Sequence, residues 1–206
     1  MNEKSLNKKN LDNNYQIFCD LDGVLVDLTQ GVQIAIRAQT PDGVSERYKK
    51  AHEAAKKSLG KEILKESHLK KSDENFKKPV REFMFRLMSH DRRFWMNLPW
   101  MKDGKKFWDF IESHNPIILS KPTDLQSVIG KKVWVKRNLG LNKERVQIRY
   151  DKTPYAQHNG KTGLLIDDYK KNILAFNENG GETIHYTNID DAINKLKEYG
   201  FTGSTS

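Results

Sequence analysis

Residues Tyr15–Asp27 read YQIFCDLDGVLVD, and the expected architecture of the chain follows from them. The first five residues are mostly apolar and β-prone, and the run stops abruptly at Asp20, Asp22 and Gly23. A short apolar run that ends at turn-forming residues is typical of a buried strand in a parallel sheet. The stretch therefore predicts a strand over Tyr15–Cys19 that brings two carboxylates to the edge of a sheet.

Four further runs of the same kind occur later in the chain. They are Pro116–Leu119, Val146–Ile148, Gly163–Ile166 and Thr183–Tyr186. Helical patterns accompany them at Lys105–Ser113, Gly130–Leu139, Asn172–Asn179 and Asp190–Tyr199. Strands that alternate with helices of this length favour βαβ units. We therefore predict an α/β fold with a Rossmann-like, doubly wound parallel sheet.

The residues between the first strand and position 100 do not follow that alternation. They are rich in Lys, Ala and Glu and contain few β-branched residues, a composition that favours helix. We interpret them as a helical cap inserted directly after the first strand. The predicted organisation is a disordered tail over 1–14, a core over 15–28 and 101–200, a cap over 29–100 and a flexible tail over 201–206.

Composition limits the class of protein. The 206 residues are 31% charged and 36% hydrophobic, with 36 Lys+Arg against 27 Asp+Glu and a net charge of +9. This is enough apolar material for a packed core. No apolar run approaches the ~20 residues that a membrane helix needs. The single cysteine, Cys19, cannot form an internal disulfide, and the first fourteen residues lack a signal-type apolar stretch, so we predict a cytoplasmic protein.

The positive charge is concentrated in one part of the chain. Between Gly43 and Arg81 there are 12 Lys+Arg against 6 Asp+Glu, which accounts for +6 of the net charge. One interpretation is a solvated helical face. The other is an electrostatic field that attracts a nucleotide or the end of a nucleic acid.

Polar side chains occur where the predicted strands end. In an open α/β sheet, ligands bind beyond the carboxyl ends of the strands. We therefore expect the side chains that follow the first, second and fourth runs to converge, together with a lysine that opens a following helix. These residues are Asp20, Asp22, Ser120, Lys131, Asp167 and Asp168.

This set of side chains is suited to phosphoryl transfer. A few carboxylate oxygens and waters satisfy Mg²⁺. One carboxylate can attack phosphorus to form an aspartyl-phosphate, and a second can protonate the leaving oxygen and then deprotonate water. A hydroxyl and an ammonium group can hold the phosphate oxygens. The sequence therefore predicts a Mg²⁺-dependent phosphatase.

Three of these motifs resemble signatures of the haloacid dehalogenase superfamily of phosphatases. They are DLDGVLVD at Asp20–Asp27, IILS ending at Ser120 and LLIDD ending at Asp168. Within that superfamily, four stretches are similar to the 5'(3')-deoxyribonucleotidase family. These stretches are FWMNLPWMKDG from Phe94, GKKVWVKRNLG from Gly130, RYDKT from Arg149 and LLIDDYKKNILAF from Leu164.

The resemblance implies a role for each site residue. It implies that Asp20 is the nucleophile, that Asp22 is the general acid and base, and that Ser120 and Lys131 hold the phosphoryl group. Mg²⁺ would be bound by the Asp20 carboxylate, the Asp22 main-chain carbonyl and the Asp168 side chain. Asp167 would support the metal from beside it.

The resemblance is incomplete around the cap. Lys121 stands where the family commonly has proline, and Leu28 stands where it has an aromatic residue that lines the base pocket. Trp95 is the candidate for stacking on a nucleobase, with packing as its alternative role. Lys132 competes with Lys131 for the phosphate-binding assignment.

Three charged residues receive no assignment from the sequence. Arg149, Asp151 and Lys152 follow the third run. They either contact substrate or simply end the strand.

We therefore expect a phosphomonoesterase that hydrolyses nucleoside monophosphates, preferably deoxynucleotides. The alternatives are a phosphatase of DNA or RNA ends and a module of the same fold that binds nucleic acid or protein. We expect no membrane association. The oligomeric state stays open, with a homodimer among the options.

Overall fold

A computed structural model describes residues 14–38, 53–55, 57 and 78–203. The predicted N-terminal tail up to residue 13, most of the basic segment and the last three residues lie outside the described residues.

Five of the six strands begin and end within two residues of the predicted positions, and the fourth, which has two residues, was not predicted. They are β1 (Tyr15–Cys19), β2 (Ile117–Ser120), β3 (Val146–Ile148), β4 (Gln157–His158), β5 (Lys161–Asp167) and β6 (Glu182–His185). The helices are α1 (Leu28–Ala38), α2 (Lys78–Met88), α3 (Arg92–Met96), α4 (Gly104–Ile111), α5 (Leu125–Leu139), α6 (Lys170–Glu178) and α7 (Ile189–Glu198). Single 3₁₀ turns lie at Glu112–His114, Lys143–Arg145 and Thr153–Tyr155.

Five strands form a parallel sheet in the order β3-β2-β1-β5-β6. The two-residue β4 pairs antiparallel with the beginning of β5. After β1 the chain adds β2 and β3 on one side and then crosses to β5 and β6 on the other. This is the doubly wound, Rossmann-like arrangement, and the predicted fold class is confirmed.

The two central strands are buried because helices cover parallel sheets on both faces. Ile17 and Phe18 of β1 and Leu164, Leu165 and Ile166 of β5 are at most 1% exposed. This explains why both strands read as continuous apolar runs in the sequence. The buried centre of the sheet therefore fixes the positions of the residues at the carboxyl ends of β1 and β5.

The chain divides into two compact units. The first comprises residues up to Asp27, Trp100–Pro122 and Asn138 onwards, and it contains the sheet. The second comprises Leu28–Pro99 and Thr123–Arg137. Among the described residues, the insertion that follows β1 is helical, as predicted.

The second unit has its own buried contacts. The indole N–H of Trp134 donates a hydrogen bond to the carbonyl of Leu98 over 2.8 Å. Gly31 lies so close to Leu98 that a Cβ at Gly31 would overlap the leucine side chain. Across the described ranges, we find no helix with both the length and the apolar character to span a membrane.

Candidate active site

The candidate site lies where β1 and β5 meet, at the point where the order of strand addition reverses. Asp20 follows β1 directly, and Asp167 is the last residue of β5. Cys19 pairs with Ile166 in the parallel register, and the Asp20 N–H donates to the carbonyl of Ile166 over 2.9 Å. The register therefore places the two aspartates side by side. Crevices at such switch points are where α/β sheets bind ligands.

Three carboxylates cluster at this edge. One oxygen from each of Asp20, Asp167 and Asp168 lies within 4.8 Å of the others. Asp20 is 6% exposed and Asp167 is fully buried, whereas Asp168 is half-buried. Carboxylates at such distances repel one another unless cations neutralise them.

Lys152 supplies one of these positive charges. Its Nζ lies 2.6 Å from Asp167 Oδ2 and 3.1 Å from Asp20 Oδ1. The lysine is 2% exposed, so its ammonium group is removed from water and held by two carboxylates. A buried charge is tolerated when it is paired and hydrogen-bonded in this way.

Asp167 has two further hydrogen-bond donors. Asn172 Nδ2 donates to Asp167 Oδ2 over 2.8 Å, and the Tyr169 N–H donates to Asp167 Oδ1 over 2.8 Å. Both oxygens of Asp167 therefore already accept hydrogen bonds within the protein. This arrangement suits a residue that holds Lys152 in place.

The neighbouring charges alter ionisation in this network. Burial, followed by the charge of Asp20, raises the pKa of Asp167 above the usual carboxyl value. Burial by itself lowers the pKa of Lys152, but Asp20 and Asp167 together raise it above the usual lysine value. Lys152 therefore stays protonated at neutral pH.

Cys19 precedes Asp20 and is fully buried. Burial and the adjacent Asp20 charge raise the pKa of its thiol well above the usual value. Its Sγ lies 3.2 Å from the Asp20 carbonyl oxygen, to which it donates. The thiol is unreactive in this environment, as expected for a cysteine that packs in a strand.

The turn after Asp20 is shaped by main-chain hydrogen bonds. The carbonyl of Leu21 accepts from the N–H groups of Val24, Leu25 and Val26, over 3.2, 2.9 and 2.9 Å. Gly23 has φ +83°, and a Cβ there would overlap the carboxylate of Asp168. Glycine at this position therefore allows the turn to approach Asp168 closely.

The donor set fits a divalent cation of the Mg²⁺ type. Three carboxylates against one lysine carry a formal charge of minus two, which one divalent cation balances. The ligand atoms are hard oxygens, and Mg²⁺ prefers one or two carboxylates with several waters. Asp20 and Asp168 would hold the ion, together with the main-chain carbonyl of Asp22 in the turn beside them.

Ser120 lies at the same edge of the sheet, one strand away from Asp20. It is the last residue of β2 and is completely buried. Its carbonyl accepts a 2.9 Å hydrogen bond from the N–H of Arg149, so the chain that leads from β3 to Lys152 starts beside it. Asp151 orders this loop, since its Oδ1 accepts from the N–H of Thr153 over 3.0 Å.

The other two predicted site residues belong to the second unit. Lys131 and Trp95 are each 1% exposed, and the Nζ of Lys131 lies 5.0 Å from the centre of the Trp95 ring. Lys132, the competing lysine, is exposed. The roles assigned to Lys131 and Trp95 remain predictions.

Solved structures resemble this chain in fold. A hydrolase from Streptococcus pneumoniae TIGR4 aligns with a TM-score of 0.50 and 15% identity, over 89% of this chain and 98% of the other. A hydrolase from Pseudomonas syringae aligns with a TM-score of 0.42 and 14% identity, over 89% and 98%. A putative beta-phosphoglucomutase from Thermotoga maritima aligns with a TM-score of 0.35 and 20% identity, over 90% and 91%. No family model and no curated protein matches the sequence.

The chain therefore has a doubly wound α/β fold with a helical insertion after β1, and this fold resembles that of the streptococcal hydrolase. The likeness concerns the fold alone.

Sequence analysis missed two residues of the carboxylate network, Lys152 and Asn172. Lys152 has no assigned role in the sequence analysis because a charged residue after a strand either contacts substrate or simply ends the strand. The available signal was its position in RYDKT, just past the carboxyl end of β3, which is an edge strand of the sheet. Asn172 lies in the first turn of α6, and only the fold shows that its side chain reaches Asp167.

Proposed function

We propose that this protein is a Mg²⁺-dependent phosphomonoesterase that works through an aspartyl-phosphate. The cluster of Asp20, Asp167, Asp168 and Lys152 at the switch point of the sheet carries this proposal. It combines a buried carboxylate, a divalent-cation donor set and a fixed ammonium group, as phosphoryl transfer requires.

Asp20 is the nucleophile in this proposal. Its Oδ1 accepts hydrogen bonds from the Leu21 N–H over 2.8 Å and from Lys152 over 3.1 Å, which fixes the orientation of the carboxylate. An Asp20 oxygen forms a bond to phosphorus while the bond from phosphorus to the leaving oxygen breaks. A bound Mg²⁺ would supply positive charge that offsets the charge on the phosphoryl oxygens.

Asp22 transfers the protons. In its acid form it donates a proton to the leaving oxygen as that bond breaks, and the alcohol departs. The resulting Asp22 carboxylate removes a proton from water, whose oxygen attacks phosphorus and releases Asp20 and inorganic phosphate. Asp22 is thereby returned to its acid form.

Ser120 and Lys152 bind the phosphoryl oxygens in the first unit. The Ser120 hydroxyl is a donor at the end of the neighbouring strand, and the charge on Lys152 is already directed at Asp20. Lys131 is a second phosphate-binding lysine in this proposal, on the strength of the family resemblance.

The proposed substrates are nucleoside monophosphates, preferably deoxynucleotides. The support is the similarity of four sequence stretches to the 5'(3')-deoxyribonucleotidase family, and Trp95 retains a base-stacking role as part of that similarity. The positive charge of the basic segment supports a second candidate, the terminal phosphates of DNA or RNA. A reducing, cytoplasmic location accords with the single buried cysteine.

The test is phosphate release from ribo- and deoxyribonucleoside monophosphates, phosphorylated oligonucleotides and p-nitrophenyl phosphate, with and without Mg²⁺. We expect metal-dependent release that prefers deoxynucleotides. Asp20→Asn, which keeps the shape of the side chain, is expected to lose more than about a thousandfold in kcat. A wild-type rate in pure Asp20→Asn protein would overturn the assignment of the nucleophile.

A further inference from the structure

The second unit contains a fully buried lysine that faces an aromatic ring. Lys131, in α5, and Trp95, in α3, are each 1% exposed. The lysine Nζ lies 5.0 Å from the centroid of the indole. An ammonium group within about 6 Å of a tryptophan face is attracted by the negative charge of the ring face, most strongly where water is excluded.

Trp95 is itself held in one orientation. Its indole N–H donates to the carbonyl of Met88 over 3.1 Å, and its ring meets the edge of Phe94 at 5.2 Å between centroids. Gly130 precedes Lys131, and a Cβ at Gly130 would overlap the Cβ of Trp95. Glycine therefore lets α5 approach closely enough for the next residue to meet the indole.

We propose that Trp95 is a positioning residue that holds the ammonium of Lys131 for phosphate binding. The inference rests on the proposed function in one respect, namely that Lys131 binds phosphate. Burying an ammonium group is costly unless nearby groups stabilise it, and the indole face supplies part of that stabilisation. A lysine fixed in this way loses little side-chain entropy when an anion binds.

This role differs from stacking on a nucleobase. The ammonium of Lys131 covers a face of the indole, and the ring is closed to solvent. A positioning role therefore affects the binding of every phosphate, including inorganic phosphate, whereas a stacking role affects only substrates that carry a base.

The test measures the affinity of the full chain for inorganic phosphate in Mg²⁺ by calorimetry, together with kcat and KM for p-nitrophenyl phosphate. The key variant is Trp95→Leu, and its matched control is Trp134→Leu. Trp134 is also 1% exposed in the second unit and also donates its indole N–H to a main-chain carbonyl, that of Leu98. Each variant is measured well below its own melting temperature.

We expect Trp95→Leu to weaken phosphate affinity about tenfold to thirtyfold, which is about 1.4 to 2 kcal/mol. Trp134→Leu is expected to lower stability comparably and leave phosphate affinity within about twofold. Trp95→Phe keeps an aromatic face and is expected to recover most of the affinity. KM should rise with kcat nearly unchanged, because the interaction stabilises ground state and transition state alike.

A double-mutant cycle with Lys131→Met shows whether Trp95 acts through the lysine. In that background, Trp95→Leu is expected to change phosphate affinity by less than about twofold, since the group it positions is gone. Full additivity of the two changes, or equal affinities in Trp95→Leu and Trp134→Leu, would overturn the inference.

The failure of the inference can be distinguished from failure of the proposed function. If Lys131→Met binds phosphate normally while Asp20→Asn abolishes turnover, the phosphatase proposal stands and the positioning role is wrong. If the parent protein neither binds inorganic phosphate nor releases it from any substrate, both are wrong.

Discussion

Lys152 neutralises two carboxylates at once, and its removal tests the centre of the site. Lys152→Met would leave Asp20 and Asp167 close together without their shared ammonium. We expect phosphate release to fall about a hundredfold or more, because a donor to the phosphoryl oxygens is lost. The free energy of unfolding should fall by about 3 to 5 kcal/mol without metal. Steady-state kinetics and urea unfolding measure the two effects.

Lys121→Met is the matched control for this change. Lys121 is an exposed lysine directly after Ser120, and its removal should change stability by less than about 0.5 kcal/mol. If Lys152→Met and Lys121→Met have the same activity, Lys152 has no role in the reaction.

Gly23 shows how one backbone position affects the metal site. Gly23→Ala introduces both a strained φ of +83° and an overlap with the carboxylate of Asp168. Gly140→Ala, the matched control, has φ +66° and nothing within 4 Å of its added Cβ. Both variants should lose about 1 kcal/mol through strain.

Only Gly23→Ala should also weaken the binding of Mg²⁺. A ligand that binds only the folded state raises the free energy of unfolding, and the rise grows with the logarithm of the ligand concentration divided by Kd. The midpoint of thermal unfolding therefore reports the binding of Mg²⁺. We expect Mg²⁺ to raise the midpoint in the parent and in Gly140→Ala, with a clearly smaller rise in Gly23→Ala. Equal rises in all three proteins would show that Asp168 does not bind the metal.

At the scale of elements, the start of α5 depends on a reciprocal cap. Asp124 Oδ1 accepts from the Ser127 N–H over 2.8 Å, and the Ser127 hydroxyl oxygen accepts from the Asp124 N–H over 2.9 Å. Asp124 Oδ2 also accepts from the His90 N–H over 2.7 Å. The bond from the Ser127 N–H satisfies a donor that the first turn of a helix leaves without a partner, and the bond from His90 ties the segment after α2 to the start of α5.

Removing this cap should destabilise the protein in a pH-dependent way. Asp124→Ala is expected to lower the free energy of unfolding by about 1 to 2 kcal/mol at pH 7. Partial burial raises the pKa of Asp124, but the bonds from His90 and Ser127 outweigh it and bring the pKa below the ordinary 3.8. Because the folded-state pKa is the lower one, the charge contributes stability above about pH 4 and loses it as pH falls through the folded-state pKa.

Asp124→Asn separates the charge from the hydrogen bonds of the cap. Asparagine keeps an acceptor and does not titrate. In urea unfolding, we expect the difference between parent and Asp124→Asn to be constant above pH 5 and to shrink below pH 4. A difference that grows with acidity would show that the charge of Asp124 is unfavourable in the folded state.

The sequence predicted the five strands of the parallel sheet well but did not predict the short antiparallel strand β4. β1 was predicted at its observed bounds because an apolar run buried on both faces stops sharply at Asp20. The two-residue β4 was missed, although the turn after it contains Asn159 and Gly160, both with positive φ. Asn-Gly is a strong hairpin signal, but a strand of two residues has no periodicity by which to recognise it.

Sequence reasoning about the site succeeded where the topology alone determines proximity. Asp20, Asp167 and Asp168 come together because their strands are adjacent and parallel, and parallel strands share one carboxyl edge. Sequence reasoning did not predict the role of Lys152, because this residue reaches Asp20 from a loop. The position of a loop side chain depends on tertiary contacts, and periodicity carries no information about them.

At the scale of the whole molecule, the position of α5 is the least predictable feature. This helix follows β2 in the manner of a βαβ unit, yet residues 123–137 group with the inserted helices. The reason lies in contacts far apart in sequence, such as the hydrogen bond from Trp134 to Leu98. The position of Lys131 therefore depends on tertiary contacts that the sequence pattern does not reveal. The position of Asp20, by contrast, follows from the end of a predicted strand.

The net charge of +9 leads to a prediction that distinguishes the two candidate substrates. Binding of a single-stranded oligonucleotide weakens with salt by about 0.7 logarithmic units per neutralised phosphate and decade of salt. Four such contacts would reduce kcat/KM about fiftyfold between 50 and 200 mM KCl. A nucleoside monophosphate has only the reacting phosphate, so a change of less than about threefold is expected.

We expect the shallow dependence, with deoxynucleoside monophosphates turned over in preference to oligonucleotide ends. The measurement is kcat/KM for both substrates across the salt series, with p-nitrophenyl phosphate as the reference that carries neither a nucleobase nor a second phosphate. Lys70→Gln with Lys71→Gln, between Gly43 and Arg81 in the basic part of the sequence, should leave the monophosphate rate within about twofold, because a nucleoside monophosphate has no further phosphates for these lysines to neutralise. A steep salt dependence that this double variant flattens would instead assign the basic segment to nucleic-acid binding and make the oligonucleotide end the substrate.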